Sequence, residues 1–500
     1  MPAFARAAER ALSWLRSGHD LIPLRPRAFS GRALRRLAFA HTGGARPRGI
    51  GGVLLVSGAL LLAGCGGLSL SPRASATLPD VAEAAPQPMT CPKGVPTDAR
   101  CLSGRDSAGA HYVIAIPAVW NGTLVMHAHG GPALGEPRLE RSVEDLERWA
   151  ITVRAGYAWA GSSFRQGGVA VRAAAEDTER LRRLFTRHIG QPRLTLLHGQ
   201  SWGASVAAVG ASMFTDDGAG RKPYDAVLLS SGVLAGGTRA YDFRLDLRVI
   251  YQHLCGNHPA ASEPAYPLWL GLPEGGKLTP AQLRQRVDAC LALDKPAAQR
   301  TAEQQKKIDT ITRVLKIPES SIHSHLSWAT WHFQDIALRR TGGRNVFGNI
   351  GARYVGSDDD EALNRGVLRY AADPEAVARF GADTDPDGRI PVPVLTVHGI
   401  HDATAFIEMD HAFRRTMERA GTADHLVQTF TEDSSHSYLS DPVYVTLFAT
   451  LSEWARGGPR PTPAGIAQRC PTFEAAFGAG CRFLPAFQPQ PLSARVTPRS

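Results

Sequence analysis

Between residues 111 and 237, short and nearly unbroken apolar runs alternate with stretches of helical spacing. Segments 111–116, 123–127, 157–164, 194–197 and 226–229 read as strands buried on both faces, because no polar alternation marks a solvent side. Segment 169–188 puts Val171, Ala175, Leu181, Leu184 and Phe185 at helical intervals. The strand signal returns at 394–397 and 426–430. Strands alternating with helices predict an α/β fold, with a mostly parallel central sheet and helices on both faces. From 238 to 388 no strand series is legible, which predicts a large inserted, mainly helical lid. The expected organisation is a core in two parts, 111–237 and 389–456, interrupted by the lid at 238–388. A targeting segment (1–64) and an extension (65–110, Pro/Ala-rich at first) precede the core, and a tail (457–500) follows it.

Composition changes this picture only at the N-terminus. The net charge of +10 resembles that of a nucleic-acid binder, but residues 1–48 hold ten Arg against Glu9 and Asp20. The rest of the chain is close to neutral, so no nucleic-acid partner is expected. Arg46 and Arg48 precede an uncharged run, 49–64, with Leu54-Leu55 and Leu60-Leu61-Leu62 at its core. A basic flank, a short apolar core and small residues at its end predict an export signal. Its final Leu62-Ala63-Gly64-Cys65 resembles the bacterial lipobox. That resemblance implies lipidation at Cys65 and anchoring in the cell envelope. Gly66 in place of Asp favours the outer membrane.

Six further cysteines remain, at 91, 101, 255, 290, 470 and 481. Export to an oxidising compartment makes disulfides their default state. Proximity favours Cys91–Cys101, Cys255–Cys290 and Cys470–Cys481. No CxxC or HxxxH spacing suggests a metal, and no cofactor is expected.

The chemistry is concentrated after three of the strands. Gly199-Gln200-Ser201-Trp202-Gly203 fits G-x-S-x-G and follows a strand directly. The small, apolar residues after it suit a tightly packed helix. Strand, sharp turn and helix form the setting of a serine nucleophile. A serine hydroxyl needs a base, and the base needs an orienting acid. Asp402 follows strand 394–397, and His436 follows strand 426–430. Both therefore fall at the strand ends where Ser201 lies. Asp433 is the competing acid. His198, His398 and His401 sit beside glycine turns and read as local hydrogen-bonders. For the oxyanion, the backbone N–H groups of Trp202 and Gly131 are the expected donors. Pro132 has no N–H to offer.

Taken together, these motifs resemble the α/β-hydrolase superfamily over about 111–237 and 388–456. His129-Gly130-Gly131-Pro132 and Gly199-x-Ser201-Trp202-Gly203 are also similar to the prolyl-iminopeptidase branch. Ala133 and Gln200 depart from that branch's glycines. The lid and tail do not match it, and the general form resembles exported bacterial esterases. The resemblance implies a serine hydrolase acting on small-molecule carboxylic esters through an acyl-enzyme. An aminopeptidase or amidase with the same triad, and a non-catalytic surface binding protein, are the alternatives. Lid residues Trp269, Trp328, Trp331, Tyr251, Tyr266 and Phe333 could line an aromatic pocket or form the lid's own core. The acidic run Asp358-Asp359-Asp360-Glu361 reads as a solvated loop or helix start rather than a calcium site.

Overall fold

The computed structural model describes residues 75–499. The expected targeting segment and Cys65 lie outside the described residues. Nine strands form one sheet in the order β1-β2-β3-β5-β4-β6-β7-β8-β9. They are β1 (Gln87–Met89), β2 (Arg100–Arg105), β3 (His111–Ile116), β4 (Thr123–Ala128), β5 (Ala158–Ser162), β6 (Leu194–Gln200), β7 (Ala226–Ser230), β8 (Val394–Gly399) and β9 (Leu426–Thr431). From β5 through β4 to β9 every neighbouring pair is parallel. The first three strands join antiparallel. All residues of β4 to β9 are buried, as continuous apolar runs covered by helices require. This is the α/β-hydrolase architecture.

Six helices position the site: α1 (Val171–His188), α2 (Trp202–Met213), α3 (Phe243–Cys255), α4 (Ile322–Asp335), α5 (Glu408–Ala420) and α6 (Asp441–Ala455). Helix α2 is buried along almost its whole length. Its alanines and glycines allow that, because a larger side chain would hold it off the strands. A Cβ on Gly203 would stand 2.0 Å from the Ala128 carbonyl oxygen.

The sheet begins earlier than the apolar pattern indicates. Strands β1 and β2 fall within the 65–110 extension. Strand β1 has three residues and is largely exposed, and β2 carries Arg100, Ser103 and Arg105 among its six, so neither carries a strong strand signal. The Cys91–Cys101 disulfide closes the turn between them. Cys255–Cys290 staples α3 to a later lid helix, and Cys470–Cys481 staples the tail. The tail extends the sheet's β9 edge: Thr431 bridges to Phe483, and the N–H of Leu484 donates to the Phe430 carbonyl at 2.8 Å. Among the described residues no strand falls between 231 and 393. Nor, among them, is any helix long and apolar enough to cross a membrane.

Candidate active site

Strand β6 ends at Gln200, and α2 begins at Trp202. The reversal is made in one residue, so Ser201 is forced to φ 58°, ψ −122°. For a residue with a Cβ this is strained backbone, held only where its surroundings over-determine it. Here the N–H of Ser201 donates to the Ser230 carbonyl and its own carbonyl accepts from Val233. A Cβ on Gly199 would strike the Gly203 carbonyl at 2.1 Å, so the elbow tolerates glycine alone there.

Parallel strands end on one side, and two further loops reach Ser201 from that side. His436 Nε2 lies 2.7 Å from Ser201 Oγ, and its Nδ1 lies 2.6 Å from Asp402 Oδ2. Ser201 is 7% exposed and Asp402 is 4% exposed. Asp433 does not join this chain. Its carboxylate pairs with Arg482 at 3.1 Å, and its backbone carbonyl accepts from the His401 N–H.

Asp402 is fully engaged. Oδ1 accepts from the backbone N–H of Thr404 at 2.7 Å and of Ala405 at 3.2 Å. Oδ2 faces His436 and also His398, whose Nε2 is 3.1 Å away. Nδ1 of His398 is 2.6 Å from Asp410 Oδ2. Both ring nitrogens of His398 thus face acceptors, which requires both to carry hydrogen. Burial pushes the His398 pKa down, but Asp410 and Asp402 outweigh it and lift the ring to about 10. Burial likewise pushes the Asp402 carboxyl up, while His436 and His398 hold it well below the ordinary range. His398 is thus a buried cation held between the site's carboxylate and Asp410, which the sequence reading as a local hydrogen-bonder does not capture. By contrast His198 is a neutral core group: burial lowers its pKa to about 3, and it contacts His127 and Ser230. His401 is exposed beside Glu432.

Of the expected oxyanion donors, Trp202 follows the serine directly and Gly131 lies in the loop after β4. Trp202 is the first residue of α2, so its N–H has no intrahelical partner. In the loop after β4, the Gly130 carbonyl accepts from Arg141 and the Pro132 carbonyl from His332 Nε2 at 2.9 Å. A trans peptide points its N–H opposite to its C=O. The Gly131 N–H is therefore turned away from Arg141, and Gly131 has φ 69°, which glycine adopts without strain.

Gln200 ties these parts together. Its Oε1 would lie 2.0 Å from a Cβ on Gly130, and its Nε2 donates to the His436 carbonyl at 3.2 Å. It touches the loop bearing Gly131 and the loop bearing His436. The sequence marks it only as a departure from glycine. The tail braces the His436 loop as well, since Ser440 Oγ donates to the Gly480 carbonyl at 3.0 Å and the N–H of Glu432 to that of Arg482 at 2.9 Å.

Among the described residues no cluster of three or more His, Cys, Asp or Glu could hold a metal ion. The acidic run is spent on local structure. Asp358 pairs with Arg313, Asp359 caps a helix at the Ala362 N–H, and Asp360 accepts from Ser357. Of the lid aromatics, Phe333 and Tyr251 are core, whereas Trp269, Trp328 and Trp331 are only partly buried.

No protein-family model and no curated protein matches this chain. Similar solved structures include the rice cell wall degrading esterase LipA from Xanthomonas oryzae, at 13% identity and TM-score 0.36, covering 72% of this chain and 90% of that one. Feruloyl esterase B from Aspergillus oryzae is 13% identical at TM-score 0.38, covering 75% and 86%. A puromycin hydrolase is 14% identical at TM-score 0.33, covering 75% and 40%.

Proposed function

We propose that the protein is a serine hydrolase that cleaves carboxylic esters through an acyl-enzyme. The observation that carries this reading is the unbroken chain from Ser201 Oγ to His436 to Asp402, with contacts of 2.7 and 2.6 Å. In this reading Ser201 attacks the ester carbonyl as His436 takes its proton, and the tetrahedral oxygen is held by the N–H groups of Gly131 and Trp202. His436 then passes the proton to the leaving alcohol. Water, activated by the same imidazole, releases the acid and restores the serine. Asp402 keeps Nδ1 protonated and Nε2 facing the serine.

The reading includes export and a lipid anchor at Cys65. Three disulfides support an oxidising compartment. Radiolabelled palmitate should enter the full chain and not its Cys65→Ala variant.

The test of substrate class sets aryl esters against aminoacyl anilides. Faster turnover of the esters is expected; faster turnover of the anilides would replace the esterase reading with the peptidase one.

A further inference from the structure

Helix α4 runs across the reactive edge of the sheet. At one end His325 Nε2 lies 2.9 Å from the carbonyl of Ala403, next to Asp402. Two turns later His332 Nε2 lies 2.9 Å from the carbonyl of Pro132, next to Gly131. Seven residues of helix span about 10 Å. Trp328 stands between them on the same face, at helical intervals of three and four. It stacks on His332 with ring centroids 4.7 Å apart. The helix therefore bridges the acid loop and the expected oxyanion loop, with Trp328 midway.

On this indole lies Arg244, from the first turn of α3. Its guanidinium carbon is 4.5 Å from the Trp328 ring and 4.5 Å from the Phe243 ring. Arg244 is 5% exposed. Among the described residues no carboxylate lies within 4.0 Å of it. Its one hydrogen bond runs from Nη1 to the Ala240 carbonyl at 3.4 Å, while Nε is buried with no partner. Its charge reaches both ends of α4, depressing His325 and His332 after burial has already lowered them.

A buried cation with no counter-ion is costly, and folds normally satisfy it with other groups. One turn along the same helix, Arg248 shows how this chain does so. Its Nη atoms reach the carbonyls of Gly271, Ala329 and His258 and the Thr330 hydroxyl. Nε of Arg248 is, like that of Arg244, buried with no partner, so the difference lies in the Nη atoms, where Arg244 receives no such set. The open edge, Nε with Nη2, is the side of a guanidinium that grips a carboxylate through two parallel hydrogen bonds.

We propose that Arg244, backed by Trp328, is an anion subsite for a free carboxylate on the substrate, so that the protein acts on esters bearing a second, ionised carboxyl group. The inference rests on the serine-hydrolase reading above. The carboxylate could belong to the acyl part or to the leaving group, and the two sources are separable by experiment. Wild-type protein and Arg244→Gln are compared on three esters: neutral 4-nitrophenyl butyrate, 4-nitrophenyl hydrogen glutarate with the charge on the acyl side, and 4-acetoxybenzoate with it on the leaving group. In wild type, one charged ester is expected to exceed the neutral one in kcat/KM. The ratio of charged to neutral kcat/KM should fall about 10- to 100-fold in Arg244→Gln, chiefly through KM, and recover in part in Arg244→Lys. An unchanged ratio, or no preference for either charged ester in wild type, overturns the subsite and leaves Arg244 as packing.

Should Arg244→Gln fail to fold, the wild type decides alone. Benzoate should compete with 4-nitrophenyl butyrate and benzamide should not; equal inhibition overturns the proposal. Turnover of the neutral ester keeps this failure distinct from failure of the hydrolase reading, which would show as no turnover of any ester.

Discussion

The sheet edge and the underside of the insertion both bury charge, but they treat it in opposite ways. At the edge, Asp402 meets four donors and His398 is clamped between two carboxylates. Beneath α4, Arg244 makes one long hydrogen bond, and its Nε is buried with no partner. A group that must hold a base in one orientation gains from being saturated, because nothing then reorganises during the reaction. A group that recognises a charged ligand must stay open until the ligand arrives, and the rest of the fold bears the cost. The contrast also separates Arg244 from Arg248, two buried arginines one turn apart with different neighbours.

Substitutions at the edge should break the comparison in graded fashion. Removing the hydroxyl in Ser201→Ala should lower kcat by about 10⁴- to 10⁶-fold with an unchanged thermal melt, measured on an aryl ester. Asp402→Asn keeps the size of the side chain but favours the wrong imidazole tautomer, and should cost about 10⁴-fold in kcat. His398→Asn should cost about tenfold, because Asp402 loses one of its four donors and can drift. That variant also carries a pH signature. The folded His398 titrates near 10, above the ordinary 6.5. Its contribution to stability is then fully present below about 6.5 and is lost as pH rises through about 10. The difference in Tm between wild type and His398→Asn should therefore close with rising pH; a gap that widens would contradict the ion triad. Asp433→Asn should change kcat less than about twofold, since its carboxylate faces Arg482 and not His436. A loss as large as that of Asp402→Asn would exchange the two roles.

Much of the core is legible in the sequence because strands buried on both faces leave unbroken apolar runs, as at β6 and β8. The first two strands leave no such trace: β1 is a three-residue edge strand largely open to solvent, and β2 beside it mixes polar and apolar residues. Ser201, Asp402 and His436 stand out by following three of those runs, and the fold brings them within hydrogen-bond distance. Gln200, His398 and Arg244 are different. Gln200 matters through two loops distant in sequence, and His398 through Asp410, which lies on the following helix. Arg244 is one of many arginines in the chain, and it is singled out by what it does not touch. No spacing rule encodes the absence of a partner. The signal available for His398 was its place one strand-turn before Asp402, in His398-Gly399-Ile400-His401-Asp402.

The central claim is that Ser201 is an activated nucleophile. Intact-protein mass spectrometry after exposure to a fluorophosphonate tests it most directly, with peptide mapping to locate the adduct. The account predicts a single covalent adduct on Ser201 in wild type and strongly slowed labelling in His436→Ala. No adduct, or one mapped to another serine, would contradict it.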